Sequence, residues 1–573
     1  MSSKKILQNP LAVNQQGKNA FDMSQITAFT STTGQLLPVY CDLLNPGEKI
    51  KFKANWETYC AQMRESAFTR LTEKVDYFFV PLSQMYSQWD SFWSGKDLNY
   101  SSMFGSAHDN PVRIPLLTNA TLMNWLKTLD FTDNSNHVDM FGVPKLANAV
   151  RLLDLLGYGR LTVQQLYETK ETSSTIAPYK YNIFRLLAYQ KIYFDYYRLA
   201  DRESNDPYYY NLDYFVDRNS QSILDATYPW MYLTMHYHPL KKDFFTYTFP
   251  SPLASSYSKD ASTSLGVGVK SYIGTTSALR ISDASSGAAV TSDDGAQVAT
   301  SLATGTTGSI RSMFALEKLL EVTRRAGHSL DSVTRAIFGA KPSKILNNQV
   351  IFLGSESQPI SIGQVVSQAG ASVQDGLGER AGKGYALKTN GDMMSFETDV
   401  HGIFMAIHSV IPETDYDSLG LDRENQYSER VDFFLPQFDN LGMQPLFHYQ
   451  AKFNSETLTN NASIIGWQYR YMEAKMKYDR ICCGFNYQSL RSWVTKRDTD
   501  QYLSYINSGV MQQYYVSPTY CNSIFVPEFN AGVESTEHPM DFDTIYEDDP
   551  FYHRIEFKVT KISTMNTYGL PSL

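Results

Sequence analysis

Long apolar runs are missing from this 573-residue sequence; none approaches the roughly 18 residues that a membrane-spanning helix requires. Its start, MSSKKILQNPLAVNQQGKNAF, has lysines but no apolar stretch of the kind a secretory signal carries, and Pro, Asn and Gln come too early for one. The chain is therefore expected to be made and kept in a cytoplasm, or in something assembled there, without membrane insertion. Cysteine is scarce: Cys41, Cys60, Cys482, Cys483 and Cys521 are odd in number and show no C-x-x-C spacing, so reduced thiols are expected rather than a disulfide framework. Charged residues make up only 19%, below the roughly 25% of an average soluble protein. Positive charge is not in excess either. Fifty Lys and Arg against 59 Asp and Glu leave −9, which excludes a protein whose whole surface grips nucleic acid.

Catalytic signatures are also lacking. No G-x-S-x-G elbow or H-E-x-x-H helix occurs, and no enzyme activity or cofactor is expected. Gly378-Glu379-Arg380-Ala381-Gly382-Lys383-Gly384 is one residue short of a phosphate-binding loop and has Gly384 where Ser or Thr must reach Mg²⁺; it reads as a flexible loop. His236 and His238 lack further ligands at a usual spacing and read as structural. Asp541–Asp549 holds five carboxylates in nine residues without the glycine and spacing of an EF-hand. It reads as a solvated acidic loop. No metal is expected, and the candidates for a divalent ion there are Asp541, Asp543, Asp548 and Asp549.

What is present is apolar and aromatic: 43% hydrophobic residues, with 39 Tyr, 32 Phe and 7 Trp. That excludes a wholly disordered chain and suits extensive buried contacts, including contacts between proteins. In Lys49–Glu57, Ile50, Phe52, Ala54 and Trp56 alternate with polar residues, the period of a half-buried strand. In His553–Thr560, Ile555, Phe557 and Val559 face one way and Arg554, Glu556, Lys558 and Thr560 the other. Leu36–Leu44, Lys74–Leu82, Val400–Ile411 and Arg430–Leu435 also read as strands. Helices are predicted at Pro144–Leu156, stopped by Gly157, and at Pro178–Arg198, Ser312–Ala326 and Asp331–Phe338. This order lacks regular strand–helix alternation and points to an all-β core carrying large loop and helical insertions. Residues 1–30 read as an extended arm with apolar anchors. Within 254–309, 37 of 56 residues are Ser, Thr, Gly or Ala, which cannot supply a conventional core and predicts an exposed insertion.

Trp467–Arg497 is the exception in charge, with seven cations against two carboxylates, a local +5. Arg470, Lys475, Lys477, Arg480, Arg491, Lys496 and Arg497 interleave with Tyr469, Tyr471, Tyr478 and Trp493. Cations neutralise phosphates and rings stack on unpaired bases, so these are the candidates for DNA contact. The alternative is a solvated stretch pairing with acidic neighbours. If 470–480 were one straight strand, Lys475 and Lys477 would face away from Arg470 and Arg480, on the side of Tyr469 and Tyr471, where no aliphatic residue demands burial, so these two lysines are the favoured DNA contacts.

Several stretches, in order along nearly the whole chain, resemble one family. They are Phe21-Asp22-Met23-Ser24, Gly34–Asp42, Pro46-Gly47, Tyr77–Pro81, Trp89-Asp90, Phe184–Arg198, Lys241–Thr246, Phe249–Pro252, Phe314–Arg325, Gly466–Tyr471 and Tyr568–Pro571. The family is the major capsid protein of the Microviridae, the small tailless single-stranded-DNA phages, nearest its gokushovirus-like branch. The resemblance implies an eight-stranded viral jelly roll of two antiparallel sheets, forming a single domain over 31–573, with 254–309 as a surface protrusion. It further implies a structural protein whose sixty copies form an icosahedral T=1 shell around single-stranded DNA and present a host-attachment surface. The implied partners are other copies of itself, the packaged DNA, a small basic DNA-packaging protein and a host surface receptor, and whether a scaffolding protein joins them is left open. The implied location is the virion capsid, with assembly in the host cytoplasm. A β-sandwich carbohydrate- or receptor-binding phage fibre or adhesin, stacking exposed Tyr and Trp on sugars, is the alternative that the composition leaves open.

Overall fold

The computed structural model describes residues 17–94, 113–129, 138–159, 179–249, 330–340, 348–366, 380–453, 463–497, 511–529 and 548–565, with gaps of one to five residues inside some of these stretches and a few short isolated segments outside them. Ten strands form the main antiparallel sheet system: β1 (Asn19–Asp22), β2 (Gln25–Ser31), β3 (Leu37–Leu44), β4 (Lys49–Cys60), β5 (Leu71–Pro81), β6 (Ile351–Val366), β7 (Arg380–Lys388), β8 (Met394–Glu397), β9 (Gly402–Pro412) and β10 (Phe551–Ser563). Their order is β1-β10-β4-β7-β6-β5-β9-β3, with β2 also on β10 and β8 also on β4.

The long strand β6 turns this system into two layers. Its residues 351–360 pair with β5, and 361–366 pair with β7. A strand that passes from one sheet to another makes the corner of a sandwich. The inward faces then meet: Phe52 on β4 lies 4.7 Å from Tyr77 on β5 and 4.8 Å from Phe404 on β9, and Tyr40 on β3 lies 5.2 Å from Phe557 on β10, all between ring centroids. The period-two reading of β4 and β10 holds residue by residue. Ile50, Phe52, Ala54, Trp56, Ile555, Phe557 and Val559 are all buried. The core is all-β, with a jelly-roll-like sandwich at its centre. Eight strands lie on the continuous path, as the resemblance implied, and β2 and β8 pair beside it; β1 and β2, inside the segment read as an arm, both pair with β10. Residues 1–16 of that segment lie outside the described residues, as does 254–309 apart from a two-residue pair, Ile281–Ser282 with Ala289–Val290.

Two helices cover the β3-β9-β5 layer. α1 (Lys145–Leu155) has Pro144 at its N-cap and buries Leu146, Ala149, Val150, Leu152 and Leu153; it stops where Gly157 takes φ +79°. α2 (Phe184–Ile192) is buried nearly all round and runs into one π turn at Tyr193–Tyr197. The helix expected at Ser312–Ala326 is helical where described (315, 318–319, 322–323, 325–326), and α3 spans Leu330–Phe338.

Three expectations are corrected. Residues 380–384, read as a loop, are strand β7. Gly382 and Gly384 are required there because a Cβ would collide with the Glu65 carbonyl oxygen at the first and with Cys60 Sγ at the second. Arg430–Leu435, expected as a strand, is a turn where described, since the Asp432 carboxylate accepts the backbone N–H groups of Ser428 and Glu429. Asp549, taken as part of a solvated acidic loop and as an ion candidate, is fully buried. Its carboxylate accepts 2.8 and 3.0 Å bonds from Arg151 on α1 and another from Thr30 on β2. Asp548 is half-buried, and Asp541 and Asp543 lie outside the described residues.

This pair ties a helix to the edge where β10 begins, and Arg151 is itself buried. Asp549→Ala should therefore cost the subunit about 3–5 kcal/mol, because it strands a buried guanidinium. Urea unfolding of the unassembled chain measures it, and a loss no greater than the roughly 1 kcal/mol of a surface pair would contradict the assignment.

Candidate functional site

The +5 stretch is not one strand. A strand at Ile464–Tyr469 pairs with Met443–Phe447 and ends as Tyr471 takes φ +59°; a single helical turn follows at Met472–Lys475. The alternation that would set Lys475 and Lys477 apart from Arg470 and Arg480 does not exist here. Instead Lys475 bonds Asp439 at 2.5 Å, Lys477 bonds Glu424 at 2.9 Å and Arg480 bonds Asp422 at 2.9 Å. Arg470 lies over the rings of Phe438 and Tyr471, and Arg497 donates to the Tyr416 hydroxyl and the Gln513 carbonyl.

The aromatic candidates are engaged as well. Tyr478 packs on Phe244, Phe245 and Tyr416 in a satellite core, Tyr469 meets Tyr247 and Phe249, and Tyr471 is buried. Trp493 stacks on exposed Phe68 at 5.8 Å. Composition could not reveal these partners, because the carboxylates come from segments 36–58 residues away in sequence.

Arg491 and Lys496 differ. They line a cleft of about 960 Å³ together with Arg64, Arg497 and the hydroxyls of Ser492, Ser517 and Thr519. Arg64 is paired with Glu528 at 2.5 Å. The cleft's other carboxylate, Asp139, accepts from the Tyr237 hydroxyl, the Asn148 amide and two backbone N–H groups. No carboxylate reaches Arg491 or Lys496 among the described residues. Of the sequence candidates, these two are the cations open to a phosphate.

A second constellation joins the two sheets and was not singled out from the sequence. Glu73 on β5, His408 on β9 and His553 on β10 are fully or almost fully buried. His408 Nε2 lies 2.8 Å and His553 Nδ1 2.9 Å from Glu73 Oε1. The Thr58 hydroxyl on β4 donates to the same carboxylate, and His553 Nε2 meets the Ser31 hydroxyl at 2.8 Å. The signal was there in the sequence: His553 shares the inward parity of Ile555, Phe557 and Val559. A His₂Glu donor set has the composition of a zinc site, and these are the described residues that could hold an ion. Here the close contacts are hydrogen bonds between the ligating atoms themselves.

Burial pushes the Glu73 carboxyl up, but His553 and the two imidazole hydrogen bonds override it and hold it well below the usual carboxylate range. Burial, reinforced by His553, pushes His408 down to about 4, and among the described residues its Nδ1 has no partner to receive a second proton's bond. Burial also lowers His236 to about 3 and His238 to about 4. His236 is bonded to Gln190 and stacked on Tyr193 at 3.5 Å, and His238 is bonded to the Pro239 carbonyl, in keeping with the structural reading of this pair.

These shifts set a direction for acid sensitivity. A histidine held below its ordinary 6.5 takes up its proton more readily unfolded, so stability falls as pH drops from 6.5 towards the folded value. Each such histidine adds about 1.4 kcal/mol per pH unit to that loss. Glu73, held below its ordinary 4.5, adds to the loss only below that pH. His408→Gln keeps a donor towards Glu73 and removes one titrating group. Denaturant unfolding across this range should show a shallower pH dependence between 6.5 and 4; an unchanged slope would mean that His408 is not held neutral.

A family model described as capsid protein (F protein) matches residues 12–122 and 121–505. Capsid protein VP1 of Chlamydia phage 1 is 21% identical over 632 aligned residues, covering 97% of this chain and 96% of that protein. With its all-β sandwich and long insertions, the chain belongs to the phage capsid protein (F protein) family.

Proposed function

We propose that this chain is the shell-forming subunit of a Microviridae-type virion, sixty copies of which close into a T=1 icosahedral capsid around a single-stranded DNA genome. The observation that carries this reading is the match to a capsid protein along almost the whole chain. The role is structural. Assembly takes place in the host cytoplasm, with a scaffolding protein as an additional partner.

The surface supports self-association. Phe338 at the end of α3 is 77% exposed, Tyr487 71%, Phe68 65% and Trp93 62%, which leaves large apolar side chains available to neighbouring copies. Burying such side chains against neighbouring copies is the main driving force available to a symmetric shell. A fibre or adhesin reading has no comparable support, since the relative that spans the whole chain is a capsid protein.

Electrostatics shapes the rest of the proposal. Copies of a −9 chain repel packaged DNA, so the inner wall must concentrate its open cations, and a small basic DNA-packaging protein supplies most of the neutralisation. Arg491 and Lys496 are the proposed contacts from the +5 stretch. Attachment to a host receptor is proposed for 254–309, from its composition.

Purified protein imaged by negative stain should form closed isometric particles; monomers or trimers that bind glycans would overturn the reading in favour of an adhesin. Deleting 254–309 should leave shell assembly intact and reduce adsorption to host cells at least tenfold. Loss of assembly would show that this segment belongs to the subunit contacts.

A further inference from the structure

The outward face of the β10-β4-β7 layer collects several cations that have no carboxylate partner among the described residues. On β4 the outward positions are Lys49, Lys51, Lys53, Asn55, Glu57 and Tyr59, and the register brings Tyr552, Arg554, Glu556, Lys558 and Thr560 of β10 beside them. Lys383 and Tyr385 of β7 extend the same face. Its carboxylates are already engaged. Glu556 accepts from Asn55 and lies 3.6 Å from Lys558, and Glu57 accepts from the Tyr59 hydroxyl.

Lys49, Lys51, Lys53, Lys383 and Arg554 have no carboxylate within ion-pair distance among the described residues. Elsewhere Lys475, Lys477 and Arg480 each have a carboxylate, and Arg70 has three. Lys53 stands directly opposite Lys558, a like-charge pairing that costs stability in the subunit alone.

We infer that this face is a track for single-stranded nucleic acid, its phosphates on the lysines and Arg554 and its bases against Tyr59, Tyr385 and Tyr552; the inference rests on the capsid reading and assigns the genome a wall. Successive outward residues of a strand are about 6.8 Å apart, a step comparable to one nucleotide of an extended single strand. The tyrosines stand where stacking needs them: Tyr59 and Tyr385 lie 5.3 Å apart between ring centroids, Tyr552 is paired across from Tyr59, and Tyr59 and Tyr552 are each 41% exposed. Phosphate relieves the Lys53–Lys558 repulsion, and exposed rings among open cations favour a strand with unpaired bases over an acidic protein surface. Beyond the Cys60 end of β4, Arg64 leads from this face to the cleft that holds Arg491 and Lys496.

The test compares two full-length triple variants that remove the same charge. K49Q/K51Q/K53Q removes three unpaired cations of the track, and K475Q/K477Q/R480Q removes three cations that already have carboxylate partners. Binding of each, and of the parent chain, to a fluorescent oligothymidylate is followed through a salt series. The track variant should lower the slope of log K against log salt by about 2, at about 0.7 for each phosphate it no longer neutralises, while the other leaves it unchanged. Equal slopes for the two variants would overturn the assignment. So would a track variant that binds the oligonucleotide as the parent does but no longer assembles, which would make the face a contact between copies. Photo-crosslinking of the parent chain to an iododeoxyuridine oligonucleotide should label peptides holding Tyr59, Tyr385 or Tyr552, and labelling confined to other peptides would also overturn it. Failure of the parent chain to form shells would count against the capsid reading alone, since the slope comparison is made on unassembled protein.

Discussion

Two β-layers pack at low cost only if inward side chains are apolar or have most of their polar atoms paired, and much of this molecule is arranged around that constraint. Phe52, Tyr77, Phe404, Tyr40 and Phe557 close most of the space between the layers. Glu73, His408 and His553 sit in the same interior and are tolerated because each supplies the other's hydrogen bond, with Thr58 and Ser31 completing the set. Four strands, β4, β5, β9 and β10, thereby share one polar knot, and β2 reaches it through Ser31. The knot is held by strands nearly 500 residues apart in sequence, so it can form only when the sandwich has closed.

The same requirement sorts charge. Since the inward parity of β4 and β10 is taken largely by apolar residues, Lys49, Lys51, Lys53, Lys558 and Arg554 are set on the other side, while Lys561 keeps the inward parity by pairing with Asp42 and Glu48. Charges on the insertions are free to find partners, and the +5 stretch does so with Asp422, Glu424 and Asp439. Charges on a flat sheet face have only the neighbours that the register provides, and here the register sets lysine opposite lysine. A chain with net negative charge thus acquires one open cationic face as a consequence of strand pairing. For a shell protein this separates two tasks, with exposed aromatic side chains on loops and helices available for contact between copies and a regular sheet face available for a polyanion.

Much of the core is legible in the order of the amino acids. Alternation in Lys49–Glu57 and His553–Thr560 determined which side chains are buried, because a strand's side chains can only alternate. Pro144 and Gly157 bounded α1 for reasons local to the backbone. The resemblance, spread in order along the chain, determined the family. The functional surface was less legible. Charge summed along the sequence pointed to Trp467–Arg497, whereas charge summed across strands points to β4 and β10, and only pairing brings those two together.

Two segments of nearly the same composition show where the sequence alone stops. KVDYFFVP lies within β5, flanked on both sides by β6 and β9, and its Phe78 and Phe79 are fully buried. RVDFFLP, just as apolar and also ended by proline, is a turn where described and leaves Phe433 and Phe434 more than half exposed. Propensity and pattern are local and nearly identical in the two. What separates them is whether a neighbouring strand offers its edge, and that is settled by how distant parts of the chain close on one another, since a strand is stable only when its backbone groups and its inward face both find partners.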